Sequence, residues 1–360
     1  MPAHYRSSPL AAYVAASIGL LIIYACLHPF AGWRDPGLPV FEFLTLPWPR
    51  YYTWVDLTAN VIGIVPFSFA LTAALMGRLP RVWAVPAAIL GCFLLSLSVE
   101  TLQNFLPSRV PSNVDVGCNT LGGVLGALAG GRWGGRLFDP RSGLTRWRKR
   151  RIVAGHVGEL GLVILGLWLL TLLTPESLLF ATGDLHRLLD LPSPLQFNPP
   201  RFVKVEAAIA ASQLVAVGLT ARSMMREWSP WPVVLLVLLG LGAKTLAAAA
   251  FFSPGDPLHW ATPGGQIGLA AGAAVLVVCL LLPAGAHGML AGMALLVGTA
   301  LVNLAPENPF LPSDAALLRQ GNFLNFHGLT ELTASLWPFI TFAYLGLLGA
   351  ARDTMRRRGD

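Results

Sequence analysis

Residues 82–106 read VWAVPAAILGCFLLSLSVETLQNFL, and residues 114–131, after a short loop, read VDVGCNTLGGVLGALAGG. A bilayer core about 30 Å thick needs roughly 20 apolar residues per helix, and the first stretch supplies them. At its end the pattern breaks. Glu100 and Gln103 stand at i and i+3 on one helical face, with Ser96 one turn earlier. The loop carries Pro107, Arg109 and Pro111, and the second stretch opens with Asp115 and Asn119 at i and i+4. Further along, Gly122, Gly126 and Gly130 recur every four residues, a small-residue stripe that lets a neighbouring backbone come close. The pair predicts two membrane helices in a tight hairpin, with polar groups gathered at its loop end.

The rest of the chain supports the same fold class. Of 360 residues 54% are hydrophobic and only 12% are charged, and the mean hydropathy is +0.62, outside the balance of a soluble domain. The apolar runs are long and continuous rather than alternating with period 2, so they read as helices and not as barrel strands. The spans fall near 10–30, 53–76, 82–106, 114–131, 152–174, 202–222, 231–252, 264–282, 286–304 and 329–351. The expected architecture is an all-α, polytopic transmembrane helical bundle of about ten spans. Cys26, Cys92, Cys118 and Cys279 lie in or at the ends of apolar runs without CxxC or Cys/His spacing, which predicts free thiols and no zinc site. The run from Leu10 to Phe30 is too long for a signal peptide, and Tyr24 argues against lipoprotein processing before Cys26.

Basic residues set the orientation. They cluster in Arg132 to Arg151 and again in Arg352, Arg356, Arg357 and Arg358. Loops of this kind stay in the cytoplasm. Six crossings separate the two clusters, and Arg78, Arg81, Arg222 and Arg226 fall on the same side. Both termini are therefore expected in the cytoplasm, and the net charge of +7 reflects orientation rather than nucleic-acid binding. The organisation reads as a membrane domain over 1–135, a basic cytoplasmic linker over 136–151 and a second helical membrane domain over 152–360. Val99-Glu100-Thr101-Leu102 matches Ala243-Lys244-Thr245-Leu246 at an offset of 144. Each is followed by a Pro-containing loop and a Gly-rich span. A degenerate two-half repeat is one reading, and chance among small apolar residues is the other.

The second span adds Asp56, Asn60 and Gly63 at i, i+4 and i+7, followed by Pro66-Phe67. On this topology Asp56, Asn60, Glu100, Gln103, Arg109, Asp115 and Asn119 converge at one extracytoplasmic depth. A charged group at mid-bilayer costs about 2.5 to 3.5 kcal/mol on insertion scales, so unpaired charges are not kept there idly. One reading is structural: Arg109 bridges Glu100 and Asp115, and the amides satisfy backbone groups, locking the hairpin. The other is a site for a polar headgroup or ion. There Glu100 and Asp115 are the candidate catalytic acid and base, and Arg109, Gln103, Asn119, Asp56 and Asn60 bind the substrate.

The ordered set Asp56, Asn60, Gly63, Pro66-Phe67, Ser96, Glu100, Gln103, Arg109, Asp115-Val116, Asn119, Gly122 and Gly126 resembles the VanZ-like family of bacterial membrane proteins. The resemblance covers about residues 10–135. Ser68 stands where the family pattern usually has Gly. The resemblance implies a multi-pass protein of the bacterial cytoplasmic (inner) membrane and the cell envelope. For some relatives it implies altered susceptibility to glycopeptides, but the long second half lies outside the pattern.

Other candidates carry less. Lys244 lies mid-span and is expected to pair with another helix. His327 precedes Glu331 by four residues beside the polar loop 303–328, a spacing that suits a helix cap better than a metal ligand. His28 and His259 lie on the same predicted side. The glycines from Gly264 have no strand before them and no Lys-Ser or Lys-Thr after them, which argues against a nucleotide loop. The sequence names no cofactor. Three functions fit: recognition or modification of a lipid-linked or cell-envelope component, with membrane lipids as partners; an ion-coupled permease; or a scaffold holding protein partners through the Gly-rich face.

Overall fold

The computed structural model describes the chain except residues 1–8, 29, 49–53, 154, 175–176, 190–194, 250–256, 307–322 and 360, and at 55, 187–188, 323–327 and 353–359 it describes the backbone alone. The helices are α1 (Pro9–Leu27), α2 (Trp54–Leu75), α3 (Arg81–Gln103), α4 (Asn113–Phe138), α5 (Gly143–Arg151), α6 (His156–Thr171), α7 (Leu185–Leu188), α8 (Pro199–Ser223), α9 (Trp231–Ala247), α10 (Pro263–Leu280), α11 (His287–Leu304) and α12 (Phe323–Gly359). A short 3-10 turn, Glu42–Leu44, follows α1. Among the described residues the extended structure is a single bridge, Ile152 to Met225. The ten expected spans correspond to α1–α4, α6 and α8–α12, and seven of the helices are long and apolar enough to cross a membrane. Two compact units divide the chain, Met1–Lys149 and Arg150–Asp360.

The first unit is organised by α4 lying along α2. Where lipid surrounds a helix, close packing and hydrogen bonds, rather than burial from water, hold neighbours together. Alanine at Gly122 or Gly126 would drive its Cβ into the carbonyl oxygen of Val61 or Val65, and at Gly130 into that of Phe69 at 2.7 Å. The stripe therefore faces α2, as its spacing predicts. Ser68, 0% exposed, donates to the Gly123 carbonyl at 2.6 Å and ties the two helices together. The Pro66-Phe67-Ser68 segment lies well inside a helix, in the middle of α2, and Ser68 serves as an interhelical donor. On the other face of α4, Gly123 lies against Cys92 of α3. Gly63 has open space around its Cβ position, and nothing in the unit's packing accounts for a glycine there.

The basic segment expected as a linker is largely helical. Helix α4 continues seven residues past its expected end, with Gly134 packed on Ala73, and α5 follows after a four-residue turn, burying Thr145 and Arg148.

In the second unit, α8 is the central helix, buried on most of its faces between α10 and α11. Its contact with α10 repeats the device of the first unit: Gly264, Gly268 and Gly272 face Glu206, Ala207 and Ala211. The expected span 152–174 ends early, at Thr171. Beyond it Leu179, Phe180, Ala181 and Thr182 are buried without being helical. Irregular backbone inside a membrane bundle must be satisfied by protein groups. Lys244 supplies two such bonds, donating to the carbonyls of Thr174 and Ser177 at 2.6 Å each, and a third to Ser177 Oγ at 2.8 Å. Asn303 donates to the Gly183 carbonyl at 2.7 Å and accepts from the Leu185 N–H at 2.9 Å. Gln213 reaches the Thr182 carbonyl at 3.3 Å, and Ser335 that of Asp184 at 2.9 Å. Gly183 has φ +87, and a Cβ there would sit 2.7 Å from Thr299 Cγ2, so both conformation and space demand glycine.

Candidate functional site

The site begins at the N-terminus of α4. Ser112 is its cap, and the Ser112 hydroxyl accepts from the Val114 N–H at 3.2 Å. Ser112-Asn113-Val114-Asp115 has the spacing of a capping box, in which the acidic residue would reach back to the cap's own N–H. Here Glu100 Oε2 takes that N–H, at 2.8 Å. Asp115 is thereby released to face α2, where Asn60 Nδ2 donates to Asp115 Oδ1 at 2.5 Å. One backbone N–H thus couples the end of α3 to the start of α4 and turns an acidic side chain toward a third helix.

The polar face of α3 is buried, with Ser96 and Glu100 each 4% exposed and Gln103 8%. Its members find partners on two other helices. Asn119 of α4 donates to Ser96 Oγ at 3.0 Å, and Gln103 donates to the Cys26 carbonyl at the end of α1, at 2.9 Å. Asp56, one turn before Asn60, lies within electrostatic reach of Asp115, as Glu100 does. The seven residues singled out in the sequence therefore gather at one end of the first unit, around the first turns of α2 and α4 and the last turn of α3.

Arg109 departs from one of its two expected roles. Among the described residues it forms no ion pair with Glu100 or Asp115. Its Nε donates to the His28 carbonyl at 3.1 Å, and Nη2 donates to the same oxygen. The guanidinium is thus anchored by one edge to the chain leaving α1, and Nη1 has no partner among the described residues. Burial lowers the Arg109 pKa from its ordinary value by desolvation, yet a guanidinium stays charged at any physiological pH. A structural clasp built on Arg109 bridging the two carboxylates is excluded by this geometry.

Three participants escaped the sequence reading. Cys26 lies within electrostatic reach of Glu100, Arg109 and Asp115, so its thiol belongs to the same cluster. His28 contributes through its carbonyl, and its ring packs on Tyr24 at a centroid distance of 5.5 Å. Ser112 was legible as a cap from its spacing to Asp115. The loops that follow α1 and α3 also meet: the Arg34 N–H donates to the Phe105 carbonyl at 2.9 Å, and Asn113 Nδ2 to that of Leu46 at 2.7 Å.

The remaining candidates lie elsewhere. Lys244 is a satisfied amine in the second unit, paired to backbone oxygens rather than to an acid of its own helix. In the polar loop, residues 307–322 and the side chain of His327 lie outside the described residues. No group of three metal-ligating side chains occurs among the described residues.

Residues 9–131 match the family model described as VanZ/LLP1, which spans the N-terminal third of the chain and contains all seven site residues. No curated protein and no solved structure matches the chain. With this match and seven helices of spanning length and apolarity, the molecule is a multi-pass membrane protein.

Proposed function

We propose that the VanZ/LLP1-like unit recognises the anionic group of a lipid-linked or cell-envelope component at the outer face of the bacterial cytoplasmic membrane. The observation that carries this reading is Arg109, held by the His28 carbonyl on one edge, beside a cluster containing Glu100 and Asp115 but ion-paired with neither. A cation with an open donor near helix ends is suited to grip a phosphate or carboxylate. Glu100 and Asp115 then orient the bound group or exchange protons with it, and Gln103, Asn119, Asn60 and Asp56 shape the wall. Arg109 is the binding residue, and the two carboxylates touch the ligand as acid and base if a bond is altered.

A site at helix ends and within one unit supports the envelope reading over an ion-coupled permease, whose site is expected near mid-membrane with a path to the opposite face. The test uses the full chain reconstituted in neutral nanodiscs. A fluorescent short-chain polyprenyl phosphate is titrated against the wild type and the Arg109→Gln, Glu100→Gln and Asp115→Asn variants. Saturable binding that weakens about tenfold in Arg109→Gln, consistent with loss of a charge-assisted bond, supports the proposal. Equal binding in all four properly inserted proteins, together with an unchanged envelope phenotype in cells, would end it.

A further inference from the structure

A second cluster of buried polar groups lies in the second unit, where α8 ends, α11 begins and α12 passes. Ser223, the last residue of α8, is 1% exposed, and its hydroxyl has no hydrogen-bond partner among the described residues. Gly288 in the first turn of α11 faces that hydroxyl, a Cβ there standing 3.9 Å from it. His287, beside it, is 2% exposed. The carbonyls of Cys279 and Leu282 lie near its ring, but among the described residues neither ring nitrogen makes a hydrogen bond of ordinary geometry. The charges that bear on His287 are both positive, Arg222 and Arg352. Arg352 of α12 donates to the Ser223 carbonyl, and Arg222 and Arg352 are near enough to repel each other. Arg222 reaches the Met225 carbonyl at 3.4 Å and lies 5.1 Å above the Trp228 ring, and its Nε is buried without a partner among the described residues. Ala286, the N-cap of helix α11, provides no side-chain cap.

Buried polar atoms normally find partners, and each exception asks for an explanation. Here the exceptions share a chemistry. Two guanidinium groups of like charge, a hydroxyl, an imidazole and the uncapped N-terminus of an 18-residue helix all favour an anion with several acceptor oxygens. Among the described residues, the acidic side chains of the neighbouring segments are Glu159, buried in the first turn of α6, and Glu227, which lies 3.9 Å from Arg151. Apolar burial alone would select against two adjacent arginines at such a place.

We propose that this end of α8, α11 and α12 binds one phosphate group, from a free phosphate ion or the headgroup of an anionic phospholipid. Arg222 and Arg352 supply the charge, and Ser223 Oγ, His287 and the first N–H groups of α11 supply the hydrogen bonds. The positive-inside pattern assigns these arginines to the cytoplasmic side, where anionic headgroups and phosphate both abound. The site is independent of the one in the first unit and needs no part of its function.

The experiment uses the full chain in two kinds of nanodisc, phosphatidylcholine alone and phosphatidylcholine mixed with phosphatidylglycerol. In the first, binding of radiolabelled inorganic phosphate is measured by equilibrium dialysis. In the second, phosphatidylglycerol retained after gentle release is counted by native mass spectrometry. Saturable phosphate binding that falls about tenfold or more in Arg222→Gln and in Ser223→Ala establishes a free-ion site. Retained phosphatidylglycerol lost in the same variants, without phosphate binding, establishes a headgroup site. Arg109→Gln leaves either result unchanged, which separates this proposal from the one above. The proposal is overturned if the wild type binds neither ligand. It is also overturned if Arg222→Gln, Ser223→Ala and His287→Asn all bind as the wild type does. Ser223→Ala removes a single oxygen and keeps the test open should an arginine variant fail to insert.

Discussion

Replacing Gly126 by alanine tests the packing on which the first unit rests. The added Cβ would enter the carbonyl oxygen of Val65 and would lie 2.7 Å from Ser68 Cβ and 3.1 Å from Val65 Cα. All three are backbone or backbone-adjacent atoms of α2, so no flexible side chain can move aside, and the helices must separate. Overpacking of this kind costs about 1–3 kcal/mol. Alanine also returns about 0.5–1 kcal/mol of helix propensity, which must be removed before the steric cost can be read. Gly117, on the same helix with nothing within 4 Å of its Cβ position, provides that correction. Gly117→Ala is expected to be neutral or slightly stabilising, and Gly126→Ala to fall below it by roughly 2 kcal/mol. For a unit of this size that difference is on the order of 5 °C in the unfolding midpoint.

In a background where Cys26, Cys118 and Cys279 are replaced by alanine, a thiol-reactive dye reports the event, because Cys92 is 0% exposed and lies against Gly123 in the same helical layer. Heating each variant in detergent with the dye present gives a midpoint for the opening of that layer. If Gly126→Ala opens no earlier than Gly117→Ala, the close approach of α4 to α2 is wrong, and the positions of Asp115 and Asn119 relative to α2 fall with it.

Replacing Lys244 by methionine removes the donor that satisfies Thr174 and Ser177. Leaving those acceptors buried costs about 1–3 kcal/mol, read as a lower thermal midpoint, and a midpoint equal to the wild type refutes the cap. A double-mutant cycle of Asn60→Ala and Asp115→Ala should show coupling of about 0.5–3 kcal/mol, whereas additive effects would mean the 2.5 Å bond contributes nothing. Reporter fusions near residues 110 and 140 are expected to read outside and inside respectively, and the reverse result would move the first site to the cytoplasm.

The spans were legible because apolar composition in long runs has one physical reading in lipid, and the seven candidate residues because ionisable and amide side chains are rare in such runs. Fold and site differ in what else they draw on. Gln103 and Arg109 were visible as letters, but both bond to carbonyls, of Cys26 and His28, and a carbonyl carries no letter of its own. Charge complementarity therefore suggested that Arg109 bridges Glu100 and Asp115, while the nearest acceptor was backbone at the end of α1. The same blindness hid the non-helical chain after Thr171. Leu172, Leu173 and Thr174 read as the end of the span, and the donors that reach this stretch and the chain after it, Lys244, Gln213 and Asn303, mark where the helix has stopped.

The echo between Glu100 and Lys244 gains a physical meaning from this contrast. Each is an ionisable residue buried near the C-terminal end of an apolar helix, 4% and 1% exposed, and each is held by a neighbouring irregular segment. The acid accepts one N–H and keeps further acceptor capacity, whereas the amine has donors aimed at two carbonyls and a hydroxyl. An amine with its three protons engaged has nothing left to offer a ligand. A carboxylate with one bond, beside an arginine that has an open donor, still does. Position in the sequence pattern is thus shared by the two residues, and the difference in unspent hydrogen-bonding capacity is what makes the first unit the better place to look for chemistry.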